Sequence, residues 1–274
     1  MAKVFAITNQ KGGVGKTTTT VNLAASLAAT KRRVLMIDLD PQGNATMGCG
    51  VDKDDVEYSV YDVLVGGRSI ADTLTYAEDS GFSVVPSNQD LTAAEVELIN
   101  EIGREFRLKE ALHPILDDYD YILIDCPPSL NMLTVNALAA AHGVIIPMQC
   151  EYYALEGLSA LLNTVNRVKQ LINPELEVEG ILRTMYDGRT SLTNQVTDEL
   201  KRHFGDKVYS TVIPRNVRLA EAPSHGLPVL YYDKQSKGAL AYLALAGEML
   251  RRLSTTPPSG VLENNSAQAE QIDG

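Results

Sequence analysis

Near the start of the chain, Lys11-Gly12-Gly13-Val14-Gly15-Lys16-Thr17-Thr18 gathers two ammonium groups, three glycines and two hydroxyls into one short stretch. A glycine-rich turn that opens a helix aims backbone N–H groups at an anion, and a lysine and a hydroxyl beside it can meet phosphate and Mg2+. Lys16 and Thr17 stand in those two places. The ordinary phosphate loop carries glycine five positions before its Gly-Lys pair, and here that position is Gln10. The extra cation, Lys11, would repel Lys16 in a bare turn, so a polyphosphate is the natural partner. A flexible turn with two solvated lysines is the competing reading, and the apolar run before it and the helical segment after it argue against that.

Three carboxylates extend the chemistry. Asp38 and Asp40 follow Val34–Ile37, and Asp125 follows Tyr121–Ile124. In an open parallel sheet, ligands bind outside the carboxyl ends of the strands. Asp125, ahead of Cys126-Pro-Pro-Ser129, has the placement of an acid that holds Mg2+ through water; capping of the next helix is the alternative. Two further acids near a γ-phosphate are costly unless they serve metal or water, which favours a catalytic place for Asp40.

The motifs KGGVGKTT, DLDPQGN (Asp38–Asn44) and DCPPS (Asp125–Ser129) resemble those of the deviant Walker A ATPases. CEYYALEGL (Cys150–Leu158), MYDGRT (Met185–Thr190) and PRNVRLAEAPSHG (Pro214–Gly226) extend the resemblance to the ParA/Soj family of partition ATPases, from Met1 to about Leu253. That resemblance implies an ATP hydrolase with ATP and Mg2+ as cofactors. It implies that Lys11 reaches the ATP of a partner subunit in an ATP-dependent homodimer, that Lys16 and the loop from Gly12 to Thr18 bind phosphate, and that Asp40 orients the attacking water. Thr17, Asp38 and Asp125 would serve the metal, and Met185, Pro214 and Asn216 would line the base pocket. Glu151, with Tyr152 and Tyr153, would lie at the dimer interface, where a helix-start acid with two packing aromatics is nearly as good a reading. The family further implies binding to double-stranded DNA without sequence preference, release by a ParB-like centromere-binding protein, and a role in chromosome or plasmid segregation.

A sequence-blind DNA surface needs only Lys and Arg aimed at phosphates. Candidates are Arg189, Lys201, Arg202, Arg215, Arg218, Lys234 and Lys237, of which the resemblance favours Arg189 and Arg218; Arg215, beside the base pocket, could serve the nucleotide instead. The net charge of −11 conceals an asymmetry: residues 1–182 carry −12, residues 183–252 carry +4 and residues 253–274 carry −3. No basic run is present, so doubling the patch by dimerisation is expected to raise affinity.

These groups need a frame. Short apolar runs at Val4–Ile7, Val34–Ile37, Phe82–Val85, Tyr121–Ile124, Val144–Ile146, Ile181–Leu182 and Val208–Ile213 predict strands, and helices are expected near 16–29, 91–116, 130–141, 155–172, 192–204 and 237–252. The alternation predicts an α/β fold of the P-loop NTPase type, a mostly parallel twisted sheet with helices on both faces. One domain over 1–253 is expected, followed by a disordered acidic tail over 254–274. With no secretory signal and no apolar stretch of membrane-spanning length, a cytoplasmic, nucleoid-associated protein without membrane attachment is expected. Cys49, Cys126 and Cys150 are too scattered for a disulfide framework and read as buried thiols. Two alternatives differ in partner: a nucleotide-gated DNA tether or transcriptional regulator with slow timer hydrolysis, and a MinD-like membrane-associated positioning ATPase. A third, an iron-protein-type reductase, would need cluster cysteines whose flanking sequence is not found here.

Overall fold

The computed structural model describes residues 1–255; nearly all of the expected acidic tail lies outside the described residues. Eight strands form one sheet: β1 (Lys3–Ile7), β2 (Val34–Asp38), β3 (Thr75–Ala77), β4 (Phe82–Val85), β5 (Tyr121–Asp125), β6 (Gly143–Gln149), β7 (Glu177–Tyr186) and β8 (Val208–Pro214). Their order is β3-β4-β2-β5-β1-β6-β7-β8. Every pairing is parallel except β3 with β4. The central strands read as unbroken apolar runs because both of their faces are covered.

Alternation along each strand sorts side chains into two cores. Val4, Ala6, Leu35, Ile37, Ile122 and Ile124 face one, under helices Leu91–Glu97, Arg107–Leu112, Met132–Ala140 and Ala154–Leu171. Phe5, Ile7, Val34, Met36 and Leu123 face the other, under helices Lys16–Ala29 and Lys237–Thr255. A fully buried Leu or Ile contributes about 1.5–3 kcal/mol, so these layers hold the sheet edge rigid where the loops emerge.

Register decides the site. Ile7 pairs with Asp125, and Asp38 pairs with Asp125. The ends of β1, β5 and β2 therefore stand on a single rung, and the crossovers from β1 leave toward β2 while β6 lies on its opposite side.

Four elements differ from expectation. The single helix expected over 91–116 is interrupted: Leu91–Glu97 runs into a 3-10 turn at Leu98–Asn100, and the chain restarts at Arg104 after Gly103, whose φ of 68° is left-handed. The strand expected at Ile181–Leu182 spans ten residues, because its buried run over Gly180–Thr184 includes the polar Arg183 and Thr184, which hide it from an apolar pattern. The antiparallel β3 was not anticipated, since it has only three residues, of which Ala77 alone is buried, and carries almost no periodic signal. The helix expected from 130 begins at Met132 because Asn131 caps it, its Oδ1 accepting from the Thr134 N–H at 3.1 Å.

Candidate functional site

The loop between β1 and helix Lys16–Ala29 is held open by its glycines. Gly13 (φ 72°) and Gly15 (φ 88°) are both left-handed, and Gly15 caps the helix with no side-chain acceptor, leaving its first N–H groups for an anion. The loop's own Asn9 and a side chain from distant β7 fix its outline. Asn9 Nδ2 donates to the Pro147 carbonyl at 2.8 Å, the Lys11 N–H donates to Asn9 Oδ1 at 2.9 Å, and Thr184 Oγ1 donates to the Val14 carbonyl at 2.7 Å.

Lys16 is 7% exposed, and its ammonium reaches only its own loop, at 3.4 Å from the Lys11 carbonyl. Burial pulls its pKa down, and the charges of Asp125, Cys126 and Asp40 push back. Lys11 behaves differently: half exposed, its ammonium meets Glu151 Oε2 at 2.5 Å.

Asp125 is fully buried and accepts from Thr17 Oγ1 at 2.7 Å and Thr20 Oγ1 at 2.9 Å. Asp38, on the same rung and equally buried, accepts from the Thr46 N–H and Thr46 Oγ1, both at 2.8 Å, and from the Asp40 N–H at 3.1 Å. Both oxygens of Asp38, expected near the metal shell, are thus taken within its own loop. Burial first, and then mutual repulsion for Asp125, drives both carboxyls above the ordinary range. Asp125 beside the Thr17 hydroxyl is a hard-oxygen pair suited to Mg2+, an ion that takes few protein ligands and shares the rest with phosphate and water. Asp40 is half-buried; its Oδ1 accepts from the Gln42 N–H at 3.0 Å, and its charge is felt by both Lys16 and Asp125.

A cavity of about 200 Å3 adjoins the loop, lined by Gly15, Thr18, Met185, Pro214, Asn216 and Tyr242 among others. Met185 sits there with φ 48°, a left-handed backbone that costs a non-glycine residue about 1–2 kcal/mol and marks a constrained position. Its sulfur accepts from Gln149 Nε2, which also reaches the Gly13 carbonyl. Asn216 Oδ1 is buried without a partner among the described residues, an acceptor suited to a ligand.

The expected DNA residues are all exposed, but they are not equivalent. Arg189 is bound by Asp187 through two bonds (2.9 and 2.7 Å), Arg202 by Glu199 at 2.8 Å, and Arg218 by Glu221 at 2.7 Å and Asp233 at 3.3 Å. The pairing with Arg189 pulls Asp187 down to about 2. Among the described residues Lys234, Lys237 and Arg215 find no ion pair, and Arg215 lines the base cavity. Lys201 lines a separate cavity of about 840 Å3 with Lys207, Glu179 and Glu248, remote from the loop in its residue set. The three thiols are buried, and burial raises each; Cys49 is pushed up to about 12.

Sequence reasoning missed Thr20, Thr46, Thr184, Ser87, Asn9 and Gln149. Thr20 had a signal, lying one turn past Lys16 on the same helix face; Asn9 sits in the loop itself and Thr46 on the short helix Asn44–Gly48, while Thr184, Ser87 and Gln149 come from the ends of strands or just beyond them, where only the sheet order brings them close.

A family model described as an AAA domain matches residues 2–178. Sporulation initiation inhibitor protein Soj of Bacillus subtilis is 57% identical over 249 residues, 91% of this chain and 98% of that relative. Chromosome partitioning protein ParA of Myxococcus xanthus is 53% identical over 259 residues, 94% of this chain and 91% of the relative. Among solved structures, cobyrinic acid a,c-diamide synthase of Mycobacterium smegmatis, with bound ATP analog and magnesium, superposes with a TM-score of 0.82 at 40% identity, covering 93% of this chain and 97% of that one.

Proposed function

The chain belongs to the ParA/Soj family of chromosome-partitioning ATPases, and we propose that ATP clamps two copies face to face and that the pair, not the single chain, grips DNA. It is an ATPase that works with ATP and Mg2+. The observation that carries the dimer reading is the unequal setting of the two loop lysines. Lys16 is buried and turned onto its own loop, whereas Lys11 is half exposed at the rim, beside the exposed Tyr152 and Tyr153. A cation outside the site it belongs to suits a phosphate held by another subunit.

Phosphoryl transfer asks for positioning and charge neutralisation more than covalent chemistry. The loop amides from Gly12 to Thr18 and the Lys16 ammonium hold the phosphates, and Lys11 of the opposite copy adds its charge to the γ-phosphate. Thr17 and Asp125 would hold Mg2+, which supplies charge neutralisation when bound. Asp40 orients the attacking water with Oδ2, the oxygen that accepts no bond from the protein. Asp38 anchors the Asp40 backbone. Met185, Pro214 and Asn216 receive the base, with Asn216 Oδ1 accepting from an exocyclic amino group.

DNA is gripped through phosphates alone. Arg189, Arg202 and Arg218 form exposed ion pairs worth little in water, so exchange for a phosphate costs little, and Lys201, Lys234 and Lys237 add charge. A ParB-like centromere-binding partner then stimulates hydrolysis and release, which serves chromosome or plasmid segregation. Light scattering and retention on nonspecific duplex, each with ATP, ADP or no nucleotide, test the reading. Only ATP should give a dimer that stays on DNA; retention indifferent to nucleotide would overturn it.

A further inference from the structure

The acid proposed to orient water is held at its backbone by a closed ring of buried and part-buried hydrogen bonds that includes a serine from the loop after β4. The Asp40 N–H donates to Asp38 Oδ1 at 3.1 Å, and Asp38 Oδ2 accepts from Thr46 Oγ1 at 2.8 Å. Thr46 Oγ1 accepts from the Ser87 N–H at 3.0 Å, and Ser87 Oγ donates back to the Asp40 carbonyl at 2.8 Å. Asp38, Thr46 and Ser87 are each 0% exposed. Ser87 lies two residues beyond Val85, the end of β4, which pairs with Ile37 just before Asp38. The sheet thus delivers it beside the loop, 47 residues from Asp40 in sequence.

We propose that Ser87 is a positioning residue for hydrolysis, acting through Asp40. Gripped at both its N–H and its C=O, the Asp40 backbone has little freedom left, and its side chain is fixed further by the bond from the Gln42 N–H to Oδ1. Only Oδ2 is left to meet a water, and its direction follows from the backbone that Ser87 and Asp38 hold. The loop is closely fitted on the same side: a Cβ at Gly43 would fall 2.8 Å from the Ser87 carbonyl oxygen. Removing the Ser87 hydroxyl leaves the nucleotide contacts untouched but takes one bond from the Asp40 carbonyl, which also accepts from the Gly43 N–H at 2.9 Å, and so loosens the Asp40–Pro41 peptide. A misplacement of about 1 Å in a catalytic group can lower turnover by as much as about a hundredfold.

The inference rests on the proposed role of Asp40, and the test separates the two. ATP hydrolysis with Mg2+ is measured under steady-state and single-turnover conditions for the full chain and for Ser87→Ala, Asp40→Ala and the double variant, with thermal melting and ATP-driven association alongside. Ser87→Ala should lower kcat about tenfold, with KM within about twofold and association intact. In the Asp40→Ala background it should have no further effect, because its influence passes through Asp40. Ser87→Cys, nearly isosteric but a weak donor, should show the same split and serves if the alanine variant does not fold. Wild-type kcat in Ser87→Ala and Ser87→Cys beside an inactive Asp40→Ala overturns the inference, as does an equal loss with and without Asp40. Wild-type turnover in Asp40→Ala instead removes the role of Asp40 itself.

Discussion

The Lys11 ammonium lies 2.5 Å from Glu151 Oε2, joining the phosphate loop to the segment after β6 across 140 residues of sequence. Both side chains are about half exposed, so solvent screens the pair and it contributes no more than about 1 kcal/mol. It holds Lys11 loosely within its own chain. Glu151→Gln should free the lysine and lower the ATP concentration at half-maximal dimerisation by up to about fivefold, as read by light scattering. Weaker dimerisation would place Glu151 among the contacts of the assembled pair.

The two proposed catalytic groups should fail in opposite ways. Lys11→Ala should abolish the ATP dimer while nucleotide binding, followed with a fluorescent ATP analogue, stays within about twofold, because Lys16 and the loop amides remain. Asp40→Ala should accumulate the ATP dimer and lose at least about a hundredfold in turnover. An Asp40→Ala protein that hydrolyses normally would end that assignment.

Asn216 offers a buried acceptor with no partner among the described residues. Asn216→Leu should weaken ATP binding by about tenfold, the cost of one unmade hydrogen bond, and should narrow the preference for ATP over GTP. Calorimetric titration with both nucleotides checks this; an unchanged ratio would move base selection elsewhere in the cavity.

Asp125 carries a pH signature. Burial, and then the neighbouring Asp38 charge, raises its carboxyl above the unfolded value. Between those two values the folded chain holds a proton that the unfolded chain has released, so stability is fully present below the unfolded pKa and is lost as pH rises through the folded one. Asp125→Asn removes the buried charge. Without nucleotide and in EDTA, the variant should melt a few degrees above the native chain at about pH 8, and the gap should shrink toward about pH 5. Mg2+ should stabilise only the native chain.

DNA retention should respond to the paired arginines and the free lysines alike. Arg218→Glu, which sets a third acid beside Glu221 and Asp233, should abolish retention of the ATP dimer, and Lys237→Glu should weaken it. Both should leave dimerisation intact, and native binding should fall steeply between about 50 and 200 mM salt. Binding indifferent to salt would contradict a phosphate-based grip.

Much of the site was legible because it is local. The loop from Lys11 to Thr18 carries its glycines, lysines and hydroxyls in one short stretch ahead of a helix, and Asp38, Asp40 and Asp125 announce themselves as acids ending apolar runs. Ser87, by contrast, follows a strand without any pattern that marks it, and Thr46 looks like an ordinary helix residue. The expected helix over 91–116 failed because its apolar spacing persists through Gly103, where a left-handed backbone breaks it.

Sequence alone therefore determined which groups could do chemistry, because chemical type and short-range spacing are properties of the chain itself. Tertiary structure decided which groups meet. Strand order and register set Asp38 and Asp125 on one rung, carry Ser87 to Asp40 and bring Glu151 to Lys11. Those contacts span 47 to 140 residues, and they form because burial of two apolar layers outweighs the entropy of closing such long loops.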